Sequence, residues 1–170
     1  MQTHLDKITE KISNDFLKEI KEDFSNMDFS IIEEKLKAKY MEKGHSAMIL
    51  DGKKGIRIIV DHGENEEQSE INCKSEIKIF EKCDMKVTEH IIGEKVYSYL
   101  IQLKEEFYKE LEKIPDDKWL DATNVTRTIS QDILGQIEKT GTSIGFTLEN
   151  ILQLMAENTY ITELRSKMKQ

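Results

Sequence analysis

Both cysteines, Cys73 and Cys83, and three of the four histidines, His45, His62 and His90, fall between residues 44 and 93, with five of the eight glycines. His62, Cys73, Cys83 and His90 could together offer zinc two nitrogens and two sulfurs. Structural zinc sites bring their ligands in close pairs, because one turn then presents two at once. Here at least six residues separate any two of the four. The same residues could make a Cys–His nucleophile pair or a His–Asp acid–base pair, but that chemistry needs an adjacent activating base, which this spacing does not impose. There is no Gly-x-Ser-x-Gly elbow, Gly-x-x-x-x-Gly-Lys phosphate loop or Gly-x-Gly-x-x-Gly turn. The expectation is therefore no catalytic residue and no cofactor. The alternative is a small metal-dependent hydrolase using the His62, Cys73, Cys83 and His90 group.

Asp61, Glu64, Glu66, Glu67 and Glu70 form an acidic stretch with no base between them. A calcium loop starting at Asp61 would need glycine at position 66 and a carboxylate at 72, where Glu66 and Asn72 stand. The stretch reads instead as an exposed loop whose carboxylates suit a basic protein partner.

The charge of −8 spreads as −2, −3 and −3 over residues 1–45, 46–93 and 94–170. No basic segment hides behind an acidic tail, which argues against direct binding of nucleic acid. A helix-turn-helix centred on Gly141 would put Gln136, Thr140, Thr142, Thr147 and Asn150 at positions that must be apolar. The even charge split also counts against an acidic inhibitor of a nucleic-acid enzyme, a further alternative. Ala47–Leu50, among the longest apolar runs, is far short of a membrane span. Asp6, Lys7, Glu10 and Lys11 stand where an export signal needs an apolar core, so the expected compartment is the cytoplasm, with both thiols reduced and Asn124-Val125-Thr126 unglycosylated.

Leu5, Ile8, Ile12, Phe16, Ile20 and Phe24 are spaced for a helix over about residues 3–24, ended near Asn26. Ser30-Ile31-Ile32-Glu33 has capping-box spacing for a second helix that Gly44 stops. Ala47–Leu50 and Ile56–Val60 flank Asp51-Gly52-Lys53-Lys54-Gly55, a hairpin pattern. Ile71, Cys73, Ser75, Ile77 and Ile79 alternate as a strand would, and Val87–Ile92 suits a fourth strand. From Val96 through Leu100, Leu103, Phe107, Leu111 and Ile114 the spacing is helical, closed by Pro115. Trp119, Ala122, Val125, Ile129, Ile133 and Ile137 outline another helix, stopped at Gly141. The last starts at about Thr147 and changes apolar phase near Asn158, which implies a kink or a change of packing partner.

These elements predict one α+β domain over 1–170. It has two N-terminal helices in 1–43, a small antiparallel sheet of three or four strands in 44–93, and three C-terminal helices in 94–170. The function they predict is a non-catalytic cytoplasmic regulator, adaptor or inhibitor that binds another protein. The C-terminal helices leave an apolar stripe for a second copy of the chain.

Overall fold

The computed structural model describes residues 3–20, 28–103, 106–119 and 131–168. Two N-terminal helices, α1 (His4–Ile20) and α2 (Phe29–Lys43), precede the hairpin β1 (Ser46–Gly52) and β2 (Gly55–Asp61). Helix α3 (Glu66–Lys82) crosses to a second hairpin, β3 (Lys86–Ile92) and β4 (Val96–Gln102). A short α4 (Glu106–Glu112), a 3-10 turn (Asp116–Lys118), α5 (Gln131–Thr142) and α6 (Leu148–Met168) follow. The four strands form one antiparallel sheet in the order β1-β2-β4-β3. β2 and β3 therefore run parallel with β4 between them, and α3 supplies the long connection that parallel strands need. The architecture is α+β, as expected.

Asn26, Phe24, Ala122, Asn124, Val125 and Ile129 lie outside the described residues, as does the side chain of Ile133. Trp119, expected at the start of a helix, stands extended after the 3-10 turn, and two longer segments depart from their sequence periodicity in compensating directions. The stretch read as an acidic loop followed by a strand is helix α3 from Glu66 onward. Its buried positions include Ser69, Cys73, Glu76 and Phe80, spaced four, three and four apart. Two of these four are polar, so the helical stripe was hidden and the i, i+2 run of Ile71, Cys73, Ser75, Ile77 and Ile79 stood out. Asn65 starts the helix by accepting from the Gln68 amide at 2.9 Å. Replacing it with alanine should cost about 1 kcal/mol, read as a lower urea midpoint with unchanged slope.

Conversely, Val96–Gln102 is a strand, although Val96, Leu100 and Leu103 have helical spacing. Val96 through Ile101 are all buried, on both faces of the strand. A central strand covered on both sides is apolar almost continuously, so it loses the alternation that marks an exposed one.

The two faces of β2 and β4 feed different cores. Ile56, Ile58 and Val60 pair with Ile101, Tyr99 and Tyr97 and join Phe80, Phe29, Leu36 and Phe16 in the larger one. On the opposite face Ile59 and Val96 pack with Ile144 and Phe146. Helix α1 buries Thr9, Ser13, Phe16 and Leu17, whereas Ile12 is exposed. The hydroxyls of Thr9 and Ser13 donate to carbonyls one turn back, those of Leu5 and Glu10, so these small residues can be buried without unpaired groups.

The phase change of α6 coincides with a change of neighbour. Asn158 accepts from the Asp51 amide at 2.9 Å, and Glu157 from the Lys53 amide at 3.0 Å. Polar side chains interrupt the apolar stripe there because they occupy the edge of β1 and its turn.

Candidate functional site

Among the described residues Glu76 is an unusual side chain, a carboxylate buried in the core. It sits on the buried stripe of α3, facing tyrosines from two other elements. The alternation of β4 puts Tyr97 and Tyr99 on one face of the strand, and the stripe of α2 that buries Ile32 and Leu36 adds Tyr40. All three hydroxyls donate to the one carboxylate. Oε1 accepts from Tyr99 at 2.8 Å and from Tyr40, while Oε2 accepts from Tyr97. Burial pushes the Glu76 carboxyl up to about 7, against the opposing pull of these three donors. The tyrosines in turn are held far above their ordinary range, by burial first and then by the neighbouring carboxylate.

A cavity of about 60 Å³ adjoins the cluster. Its lining includes Glu76, Tyr40, Tyr97, Asn72 and Ser75, with Lys39, Lys43 and His45. That volume has room for a few water molecules, and the lining offers them polar partners.

His62, at the end of β2, lies 5.9 Å from Tyr97, ring centre to ring centre. Its Nδ1 accepts from the Glu64 amide at 3.1 Å, which leaves the proton on Nε2 to donate to Ser69. Ser69 passes the chain on to the Glu94 carbonyl at 3.0 Å. Burial holds His62 below its ordinary value, so the ring is neutral and spent on joining the β2–α3 junction to the β3–β4 turn.

The residues considered for zinc go to separate places. Cys73 is fully buried on α3, where burial pushes its thiol up to about 12. Cys83 caps the far end of α3 and is buried too, its thiol also raised by burial. His90 is exposed on the edge strand β3. Among the described residues, no three His, Cys, Asp or Glu side chains gather in a way that could hold a metal. A raised thiol also makes a poor nucleophile, because the thiolate is the reactive form.

The acidic residues have local roles around the start of α3, which replaces the loop expected there. Asp61 accepts from the Gly63 amide at 3.1 Å, and Glu70 pairs with Lys74 at 2.8 Å. Glu66 and Glu67 stand exposed in the first turn of α3, where negative charge complements the helix dipole. Glu64 is exposed beside them.

A larger concavity, about 1010 Å³, lies elsewhere, between the β1–β2 turn, the start of β3 and the α4 segment. Leu100, Leu103, Leu111, Ile114 and Trp119 give it apolar walls, and Lys53, Lys54, Lys86 and Lys109 line it together with Glu89, Glu112 and Asp116. Lys53 pairs with Asp116 at 3.0 Å and Lys109 with Glu106 at 3.8 Å. Lys54 and Lys86 are exposed and have no ion-pair partner among the described residues.

Glu76, Tyr97 and Tyr99 were expected in the wrong elements, a strand and a helix, which hid their meeting with Tyr40 of the correctly expected α2. Reading 66–82 as a helix would have placed a carboxylate in a buried stripe, an unusual position that marks a site on physical grounds.

Fold and site together define an α+β protein with a layered antiparallel sheet and a buried carboxylate cluster. No family model matches the chain, and neither curated proteins nor solved structures contain a match to it. No helix among the described residues is long and apolar enough to cross a membrane.

Proposed function

We propose that this protein is a non-catalytic regulator or adaptor that acts by binding another protein, and that the lysine-lined groove receives an acidic segment of that partner. The observation that carries this reading is the groove itself: apolar walls with two lysines, Lys54 and Lys86, that have no ion-pair partner among the described residues, although Glu89, Glu112 and Asp116 line it too, on a chain whose net charge is −8. An apolar side chain of the partner would be desolvated against Leu103, Leu111 and Ile114, while its carboxylates meet Lys54 and Lys86. A groove of this size accommodates several residues of an extended segment. The reactive groups support the same class, since His62, Cys73, Cys83 and Glu76 are turned inward.

Affinity capture with three forms of the chain tests the reading: wild type, Lys54→Glu plus Lys86→Glu, and Glu66→Lys plus Glu67→Lys. The expected result is a protein retained by the wild type and by the glutamate variant but lost from the lysine variant. With purified components, the lysine variant should bind it about tenfold more weakly, mainly through a slower association rate. Equal retention by the lysine variant would overturn the groove as the contact. Loss from the glutamate variant alone would move the contact to the start of α3, and a chain that retains nothing would overturn the function.

A further inference from the structure

We propose that Glu76 is a proton-binding site through which pH controls how firmly α2 is held against α3 and the sheet. The geometry makes the carboxylate a three-way joint: it is carried by α3 and gripped by Tyr40 of α2 and by Tyr97 and Tyr99 of β4. Among the described residues no cation is hydrogen-bonded to it. The titratable groups facing it are Tyr40, Lys39 and Lys43 from α2, His45 from the α2–β1 junction, Tyr97 and Tyr99 from β4, and Cys73 from α3 itself. Helix α1 contributes only apolar Ile12 and Phe16 to the shared cavity.

The two protonation states need different hydrogen-bond patterns. As an anion, the carboxylate only accepts, and three tyrosine donors match it. With one proton taken up it becomes a donor, so one tyrosine must accept from it and turn its own hydrogen elsewhere. Tyr40 and Tyr97 line the cavity and can donate to water there, whereas Tyr99 does not line it. Of the two that line it only Tyr40 comes from α2, so the joint to α2 is among those that protonation can rearrange, with the one to Tyr97 of β4 the other. The same cavity gives the proton a route to a group that is otherwise enclosed. Burial moves the Glu76 carboxyl to about 7, so both states are populated near neutral pH.

The test is a pH titration of the intact protein by NMR, following the Glu76 side-chain carboxyl carbon and the backbone amides of α2. Glu76→Gln assigns the signal by removing it. The expected result is a carboxyl midpoint near 7 with α2 amides shifting at the same midpoint, and α2 shifts absent from Glu76→Gln. Tyr40→Phe keeps the carboxylate while deleting one donor to its anion, and should raise the midpoint by about one unit. That variant keeps the test decisive if Glu76→Gln fails to fold. A carboxyl midpoint below about pH 5, or a midpoint near 7 with still α2 amides, would overturn the proposal.

Discussion

Gly55→Ala is expected to leave no stably folded protein. Gly55 opens β2 with φ +133°, a conformation L residues rarely adopt, and it faces Gly52 across a two-residue turn. A Cβ built there lies 2.1 Å from the Ile101 carbonyl oxygen and 3.0 Å from its carbon. These are backbone atoms of β4, which cannot swing aside as a side-chain tip could. Relief would require β2 and β4 to part where Ile56 pairs with Ile101, at the centre of the sheet and inside the larger core. Backbone strain of about 1–3 kcal/mol adds to the cost of the overlap. Together they should exceed about 4 kcal/mol, much of the typical stability of a domain. Gly44→Ala is the matched control. Gly44 has φ +70° but nothing within 4 Å of its added carbon, so only the strain applies and about 1 kcal/mol should be lost. Urea unfolding of both variants decides the matter; a Gly55→Ala protein as stable as Gly44→Ala would show that the contact with β4 is not tight.

The second large effect is on stability as a function of pH. The Glu76 carboxyl rises from 4.5, its ordinary value, to about 7 in the fold, because burial disfavours the charge. A group raised in this way contributes stability that is fully present below the unfolded value and is lost as pH climbs through the folded one. The window therefore runs from about pH 4.5 to about pH 7, and the loss across it is about 3 kcal/mol at 1.36 kcal/mol per unit. Glu76→Gln cannot ionise, and its amide can both accept from and donate to the tyrosines, as the protonated acid does. The stability gap between Glu76→Gln and wild type should thus move by about 3 kcal/mol in favour of the variant between about pH 5 and about pH 8. Taking the difference cancels the opposing titrations of His62, His45 and the surface carboxylates. Parallel urea-stability curves for the two proteins would mean that Glu76 does not titrate in this window.

Much of the local structure was legible in the residues themselves. Gly44 ends α2 with φ +70°, the turn Gly52–Gly55 closes the first hairpin, and Val87–Ile92 lies within β3. In each case the signal is local: a glycine where the chain turns, or a run of β-branched residues along one strand. Helix α2 begins with Asp28 accepting from the Ser30 amide, so the capping residue stands two positions before the expected Ser30. An aspartate is as good an acceptor there as a serine, and only the chain direction before the helix chooses between them.

What the sequence by itself determined is the Gly44 end of α2, the start of α6 close to Thr147, the Gly52–Gly55 turn and the apolar stretches of the first hairpin, because these depend on backbone preferences and neighbours within one or two turns. Tertiary structure alone decided that 66–82 is a helix and 96–102 a central strand. It also decided that Glu76 meets Tyr40, Tyr97 and Tyr99, which stand 36, 21 and 23 positions from it along the chain. The physical reason is that burial on both faces of β4 erased its alternation, while polar residues in the buried stripe of α3 erased its helical period. A buried carboxylate is tolerable only where distant donors converge on it, and such convergence leaves no mark in local spacing. The cysteines and histidines that first suggested chemistry were separated by the same folding that assembled this quieter cluster.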